Sequence, residues 1–172
     1  ETNIIVESNP NDIYQIEEGD SEDRKNQKYI LNALKRENYQ RNSIKLGLQE
    51  SENEDYIMVS DIDEIPNLEK NNLKNINKKL IFFKQKIFNY KFNLHLESFT
   101  WYGTKVSKKK NLISPQWLRN VKGKKYPFWR FDTIISKKKY KNIHIIEDGG
   151  WHFSYIKEPQ DIEKKLKSYL HH

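Results

Sequence analysis

A chain of 172 residues has the length of one domain, or of one domain with an appendage. It is very polar, with 32% charged residues and a mean hydropathy of −0.98. Its 13% of aromatic residues, including four Trp, ten Tyr and eight Phe, exclude a disordered chain, which lacks such core formers. The absence of Cys excludes disulfides, a thiolate nucleophile, an iron–sulfur cluster and a Cys-based zinc site. No apolar run approaches the roughly 18 residues of a membrane span. The net charge of +7 hides an asymmetry: residues 1–70 carry 8 Lys/Arg against 17 Asp/Glu, and the remainder carries 23 against 7. Of the 31 basic residues 26 are Lys, a bias that AT-rich coding produces. The basic half is therefore discounted as a nucleic-acid surface, and no nucleic-acid partner is expected.

Ile4-Ile5-Val6 reads as a strand ending at Glu7-Ser8-Asn9-Pro10, and its position so near residue 1 leads us to expect further sequence upstream. Residues 11–27 read as an acidic loop. From about Lys25 to Leu48 the period is helical, with Ile30, Leu34, Ile44 and Leu48 on one stripe and Glu37 and Arg41 on the same stripe. Tyr56-Ile57-Met58-Val59 is a continuous apolar run, as expected of a parallel strand buried on both faces. Leu68–Lys79 reads as a weak helix, and Leu80–Leu96 contains strand-like runs. Lys108–Lys110 and Lys122–Lys125 mark loops around Leu112–Leu118. Ile134-Ile135 and Lys137–Lys139 suggest a hairpin into Ile143–Ile146. Gly149-Gly150 breaks the chain before Trp151–Ile156, and Asp161–Leu170 closes as a helix. Strand, helix and buried strand in succession predict a βαβ unit and an α/β fold with a mixed, largely parallel sheet, in one domain spanning 1–172.

Asp61-Ile62-Asp63-Glu64 follows the most buried-looking strand, and in open α/β sheets ligands sit outside the carboxyl ends of strands. In an extended segment Asp61 and Asp63 project to one side, where two hard oxygen donors suit Mg²⁺ or Mn²⁺ shared with a diphosphate. An acidic turn that merely ends a strand is the competing reading. Glu37 and Arg41, with Asn42 beside them, form either an ion pair at the edge of the core or part of a cleft above the sheet. His152 follows a glycine pair that permits close approach of a ligand, and its imidazole can complete a metal shell begun by carboxylates. Trp101 and Trp151 are core residues or sugar-stacking faces. No P-loop, Ser-His-Asp pattern or HExxH motif is present.

Several blocks stand in a specific order: Val6-Glu7-Ser8-Asn9, Arg36-Glu37-Asn38-Tyr39-Gln40-Arg41-Asn42 with Gly47-Leu48, Val59-Ser60-Asp61-Ile62-Asp63-Glu64-Ile65-Pro66, and Trp101-Tyr102-Gly103-Thr104. Leu118-Arg119, Gly150-Trp151-His152-Phe153-Ser154 and Lys165-Leu166-Lys167-Ser168-Tyr169 with His171 complete the series. In this order they resemble glycosyltransferase family 17, a β-1,4-N-acetylglucosaminyltransferase family. The resemblance implies a GT-A-type nucleotide-sugar-binding fold, an inverting mechanism and a UDP-sugar donor. It implies that Glu7, Glu37, Arg41, Asn42 and Asp61 line the nucleotide, and that Asp61, Asp63 and His152 hold Mn²⁺ or Mg²⁺. The chain departs from the family in lacking a strand and helix before the first block and in a short segment after it.

The expectation is thus a metal-dependent glycosyltransferase acting on a glycan or glycoprotein acceptor. Asp148 is the first choice for the general base, with Glu64 and Glu147 as rivals. The alternatives are a non-catalytic basic module binding a polyanion through residues 105–141, or a degenerate transferase that binds donor without turnover. A chain without Cys and with the Lys-rich bias of AT-rich coding suggests a microbial or viral enzyme, for which a cytoplasmic location is expected.

Overall fold

A computed structural model describes residues 10–69, 72–124, 136 and 142–170. Glu7, the strand expected at Ile4–Val6 and the first arm of the hairpin expected at Ile134-Ile135 lie outside the described residues, as do His171 and His172. The chain forms two compact units, one of residues up to Glu50 together with those from Lys157 onward, the other of Ser51–Ile156.

The first unit is helical. Helix α1 (Glu22–Ser43) starts three residues before the apolar period does, because Ser21 caps it by accepting a hydrogen bond from the Arg24 amide and Glu22 and Asp23 favour its N-terminal dipole. It runs into a 3-10 turn at Ile44–Leu48. Its buried residue is Asn32, not one of the stripe: the Asn32 amide brackets the backbone of Tyr14, accepting from its N–H and donating to its C=O, both at 2.8 Å. Ile30 stays 65% exposed. A second helix of this unit, α2 (Pro159–Leu170), follows the sheet in sequence.

The second unit is built on a mixed sheet of six strands: β1 (Tyr56–Val59), β2 (Glu64–Pro66), β3 (Leu80–Asn89), β4 (Trp101–Lys108), β5 (Ile143–Ile146) and β6 (Gly150–Ser154). The order is β1-β4-β3-β6-β2, with β5 also on β3. Pairs β1/β4, β3/β4 and β2/β6 are antiparallel, and only β3/β5 and β3/β6 are parallel. The architecture is α/β with a curled, partly parallel sheet.

Tyr56–Val59 is a strand as expected, yet it pairs antiparallel. Its continuous apolar run arises because both faces of an antiparallel edge are covered. Ile57 and Val59 share a face with Lys105 of β4, over which helix α3 (Pro115–Asn120) lies. Tyr56 and Met58 pack with Leu73 and Ile76 on the cluster of Ile81, Phe83, Val106 and Ile146. The helix expected at Leu68–Lys79 is only a 3-10 turn at Leu73–Asn75, where the Asn72 side chain takes the Lys74 N–H and competes with helical bonding.

Strands β5 and β6 run one after the other along the same edge of β3: Leu80–Phe83 pair with β5 and Lys86–Asn89 with β6. The glycine pair makes this possible. A Cβ on Gly149 would lie 2.5 Å from the Lys84 nitrogen and 2.7 Å from its oxygen, and Gly150 has a φ of +112°.

Candidate functional site

The loop Ser60–Asp63 links β1, paired to β4, with β2, paired to β6. It is not extended. The Glu64 N–H donates to the Asp61 carbonyl at 3.0 Å, closing a turn with Ile62 fully exposed at its tip. Asp61 and Asp63 therefore turn to different partners rather than to one side, which corrects the alternation expected from sequence. Asp63 approaches His152, with Oδ2 3.4 Å from Nε2, while Asp61 Oδ2 accepts from Arg119 Nη2 at 2.7 Å.

Glu64 is the hub. Its cross-strand partner in β6 is His152, so both side chains stand on one face of the sheet. The side chain has no solvent exposure. Oε1 accepts from Trp101 Nε1 at 3.0 Å and from Arg119 Nη2 at 2.8 Å, and Oε2 from Arg119 Nη1 at 2.9 Å and from the Asp61 amide at 3.0 Å. With these four donors and the Ser60 hydroxyl at 3.5 Å from Oε2, the carboxylate has no oxygen turned to a substrate, so its geometry is that of an anchor rather than of the general base for which it was a candidate. Burial works against the charge on Arg119, but its hydrogen bonds to Glu64 and the negative charges of Glu64 and Asp61 outweigh that cost and raise its pKa. Arg119 is the residue that sequence reasoning missed as part of the site. It appeared only as the end of a Leu-Arg block, and the pairing it makes spans 58 positions of sequence.

Trp101 joins the two halves. Its indole donates to Glu64 and stacks on the His152 ring, with centroids 4.7 Å apart and planes 12° from parallel. Gly103 leaves the room: a Cβ there would fall 2.8 Å from Glu64 Cδ and 2.8 Å from Trp101 Nε1, and closer still to Gln85 Oε1. His152 Nδ1 is buried with no hydrogen-bond partner among the described residues.

Asp63 and His152 are the two expected metal ligands that the fold brings together. Two ligand atoms about 2.1 Å from one ion stand roughly 3.0–3.4 Å apart, the spacing of Asp63 Oδ2 and His152 Nε2. Among the described residues no three His, Cys, Asp or Glu groups make a ready cage. The donors present fit Mn²⁺ or Mg²⁺ only with phosphate oxygens and water completing the shell, which is how such ions bind beside nucleotides.

The remaining candidates have other surroundings. Asp148 is exposed in the bend that precedes β6, four residues before His152 in sequence. Glu147 pairs with Lys84 at 2.7 Å. Glu37 and Arg41 belong to the other unit and pair with each other at 2.8 Å, with Asn42 next in the helix.

Four of the described lysines of the basic stretch are committed to the fold, whereas Lys122 and Lys124 are exposed. Lys105 is buried and donates to the carbonyls of Arg119 at 2.6 Å and Val121 at 2.7 Å. Lys108 and Lys110 hold Glu54, and Lys109 bonds the Ser51 carbonyl. Among the described residues no helix is long and apolar enough to cross a membrane. No family model, curated protein or solved structure matches the chain.

Proposed function

We propose that the chain is an inverting, metal-dependent glycosyltransferase with a GT-A-type donor site, moving a sugar from a UDP-sugar to a hydroxyl of a glycan or glycoprotein. The observation that carries the reading is the meeting of Asp63 and His152 at the end of β1, beside Asp61 and under the Trp101 ring. A carboxylate and an imidazole at chelating distance, with the rest of the shell open, suit an ion shared with a diphosphate. The ordered sequence blocks that resemble glycosyltransferase family 17 converge on these residues, since Asp61, Asp63, Glu64, Trp101, Arg119 and His152 come from four of them.

In this reading the acceptor oxygen attacks the anomeric carbon as the bond from that carbon to the diphosphate breaks. A bound Mn²⁺ or Mg²⁺ supplies neutralisation of the charge on the departing diphosphate. Asp63 and His152 orient the donor's phosphates, and Trp101 shields them from water. Asp148, an exposed carboxylate, is assigned to take the acceptor's proton. The engagement of Lys105, Lys108, Lys109 and Lys110 within the fold leaves less basic surface for the polyanion-binding alternative.

Thermal unfolding with UDP and Mn²⁺, separately and together, tests the reading. Ligand at about 100 times its dissociation constant adds about 2.7 kcal/mol. A rise in Tm that needs both components and is lost in Asp63→Ala supports the site. No rise with any combination contradicts it.

A further inference from the structure

Arg119 sits between the acid that could hold a cation and the acid that cannot leave the core. It enters from the last turn of α3, and its side chain is 10% exposed. Nη2 bridges Asp61 Oδ2 and Glu64 Oε1, and Nη1 bridges Glu64 Oε2 and the Gly103 carbonyl. The backbone that carries it is pinned by the buried Lys105, whose ammonium holds the carbonyls of Arg119 and Val121. If the guanidinium swung away it would strand the fully buried Glu64 carboxylate, so it is fixed in place.

We propose that Arg119 is a positioning residue of the acidic loop. By clamping Asp61 onto Glu64 it keeps Asp61 out of the cation's coordination shell and leaves the ion to Asp63 and His152. This rests on the donor-site reading above and deepens it, because it divides the labour of the two aspartates. Asp61 sets the loop through its amide, which donates to Glu64, and through its carboxylate, which accepts from Arg119. The turn closed by the Asp61 carbonyl then delivers Asp63 to His152. Lysine cannot replace Arg119 in this task, since one ammonium cannot form two parallel bonds to Glu64 and also reach Asp61 and Gly103.

The test is Mn²⁺ affinity in the presence of saturating UDP, read by the loss of the free-ion electron paramagnetic resonance signal against a control of Mn²⁺ with UDP and no protein. We expect Asp63→Asn to weaken binding at least tenfold and Asp61→Asn to change it less than threefold. Arg119→Lys removes the Arg119 hold on the Asp61 carboxylate, so adding Asp61→Asn in that background is expected to cost at least tenfold. A residue that merely supported the fold would weaken binding without creating this dependence on Asp61. Equal losses for Asp61→Asn and Asp63→Asn in the otherwise unaltered chain would overturn the proposal. So would the same Asp61→Asn effect in both backgrounds. If Arg119→Lys does not fold, the comparison of the two single aspartate variants still decides. Absence of Mn²⁺ binding by the unaltered chain would remove the donor-site reading itself, and the clamp's role with it.

Discussion

Glu64→Gln removes one charge from a site with no solvent exposure and leaves the side chain's shape unchanged. The carboxylate accepts five hydrogen bonds, two from Arg119, one from Trp101, one from the Asp61 amide and a long one from the Ser60 hydroxyl. The amide offers one oxygen, so its NH₂ group must face two donors with no acceptor between them. Arg119 keeps only Asp61 as a charged partner. Breaking one side of a buried ion pair costs about 3–5 kcal/mol. With a urea m-value of about 2 kcal/mol/M, a loss of about 4 kcal/mol moves the midpoint down by about 2 M. For a chain of this size it lowers Tm by about 8–16 °C. All four Trp lie between residues 101 and 151, so tryptophan fluorescence during urea unfolding reports the unit that holds Glu64. A loss below about 1 kcal/mol would refute the assignment of Glu64 as the charged anchor of the site.

Gly103→Ala is expected to destabilise by about 1–3 kcal/mol through overpacking, and to weaken Mn²⁺ binding through displaced Trp101 and Glu64; calorimetry showing an unchanged Tm would contradict the close approach. Lys105→Met leaves the carbonyls of Arg119 and Val121 without their donor, at an expected cost of about 1–3 kcal/mol measured by urea unfolding. Glu54 is held by Lys108 and Lys110 and titrates at about 2 rather than 4.5. Its stabilising pairing is complete above about pH 4.5 and is lost as pH falls through 2; carboxyl NMR with a midpoint above 4 would rule this out. If Asp148 takes the acceptor's proton, Asp148→Asn lowers turnover of a UDP-sugar by about 100-fold or more without moving Mn²⁺ affinity. Near-normal turnover in that variant, with activity lost in Asp63→Ala, would exclude Asp148 as the base.

The acidic loop was legible because Tyr56–Val59 is a dense apolar run followed at once by charges, and the strand stands where that run placed it. The direction of the strand was not legible. Apolar residues on both faces report burial, and here α3 and the Leu73–Ile76 segment cover an antiparallel edge as fully as helices cover a parallel sheet. The opposing of Asp61 and Asp63 was hidden for another reason: alternation assumes an extended chain, and the Asp61-to-Glu64 turn cancels it. His152 was readable from the glycines before it, whose backbone crowding against Lys84 and distorted φ mark an enforced position. Arg119, by contrast, lies 55 residues from Glu64 and 58 from Asp61, in a short helix whose own pattern carries no sign of the pairing.

The most direct test of the donor site is paramagnetic broadening by Mn²⁺ in the presence of UDP, followed at the indole N–H signals assigned by single Trp→Phe variants. The Trp101 ring stacks on His152, so its indole signal should vanish first, at substoichiometric Mn²⁺, and only with UDP present. Trp117, buried in α3, should broaden later. Uniform loss of all the indole signals, or a Trp101 signal that persists at stoichiometric metal and nucleotide, would contradict a cation held by Asp63 and His152.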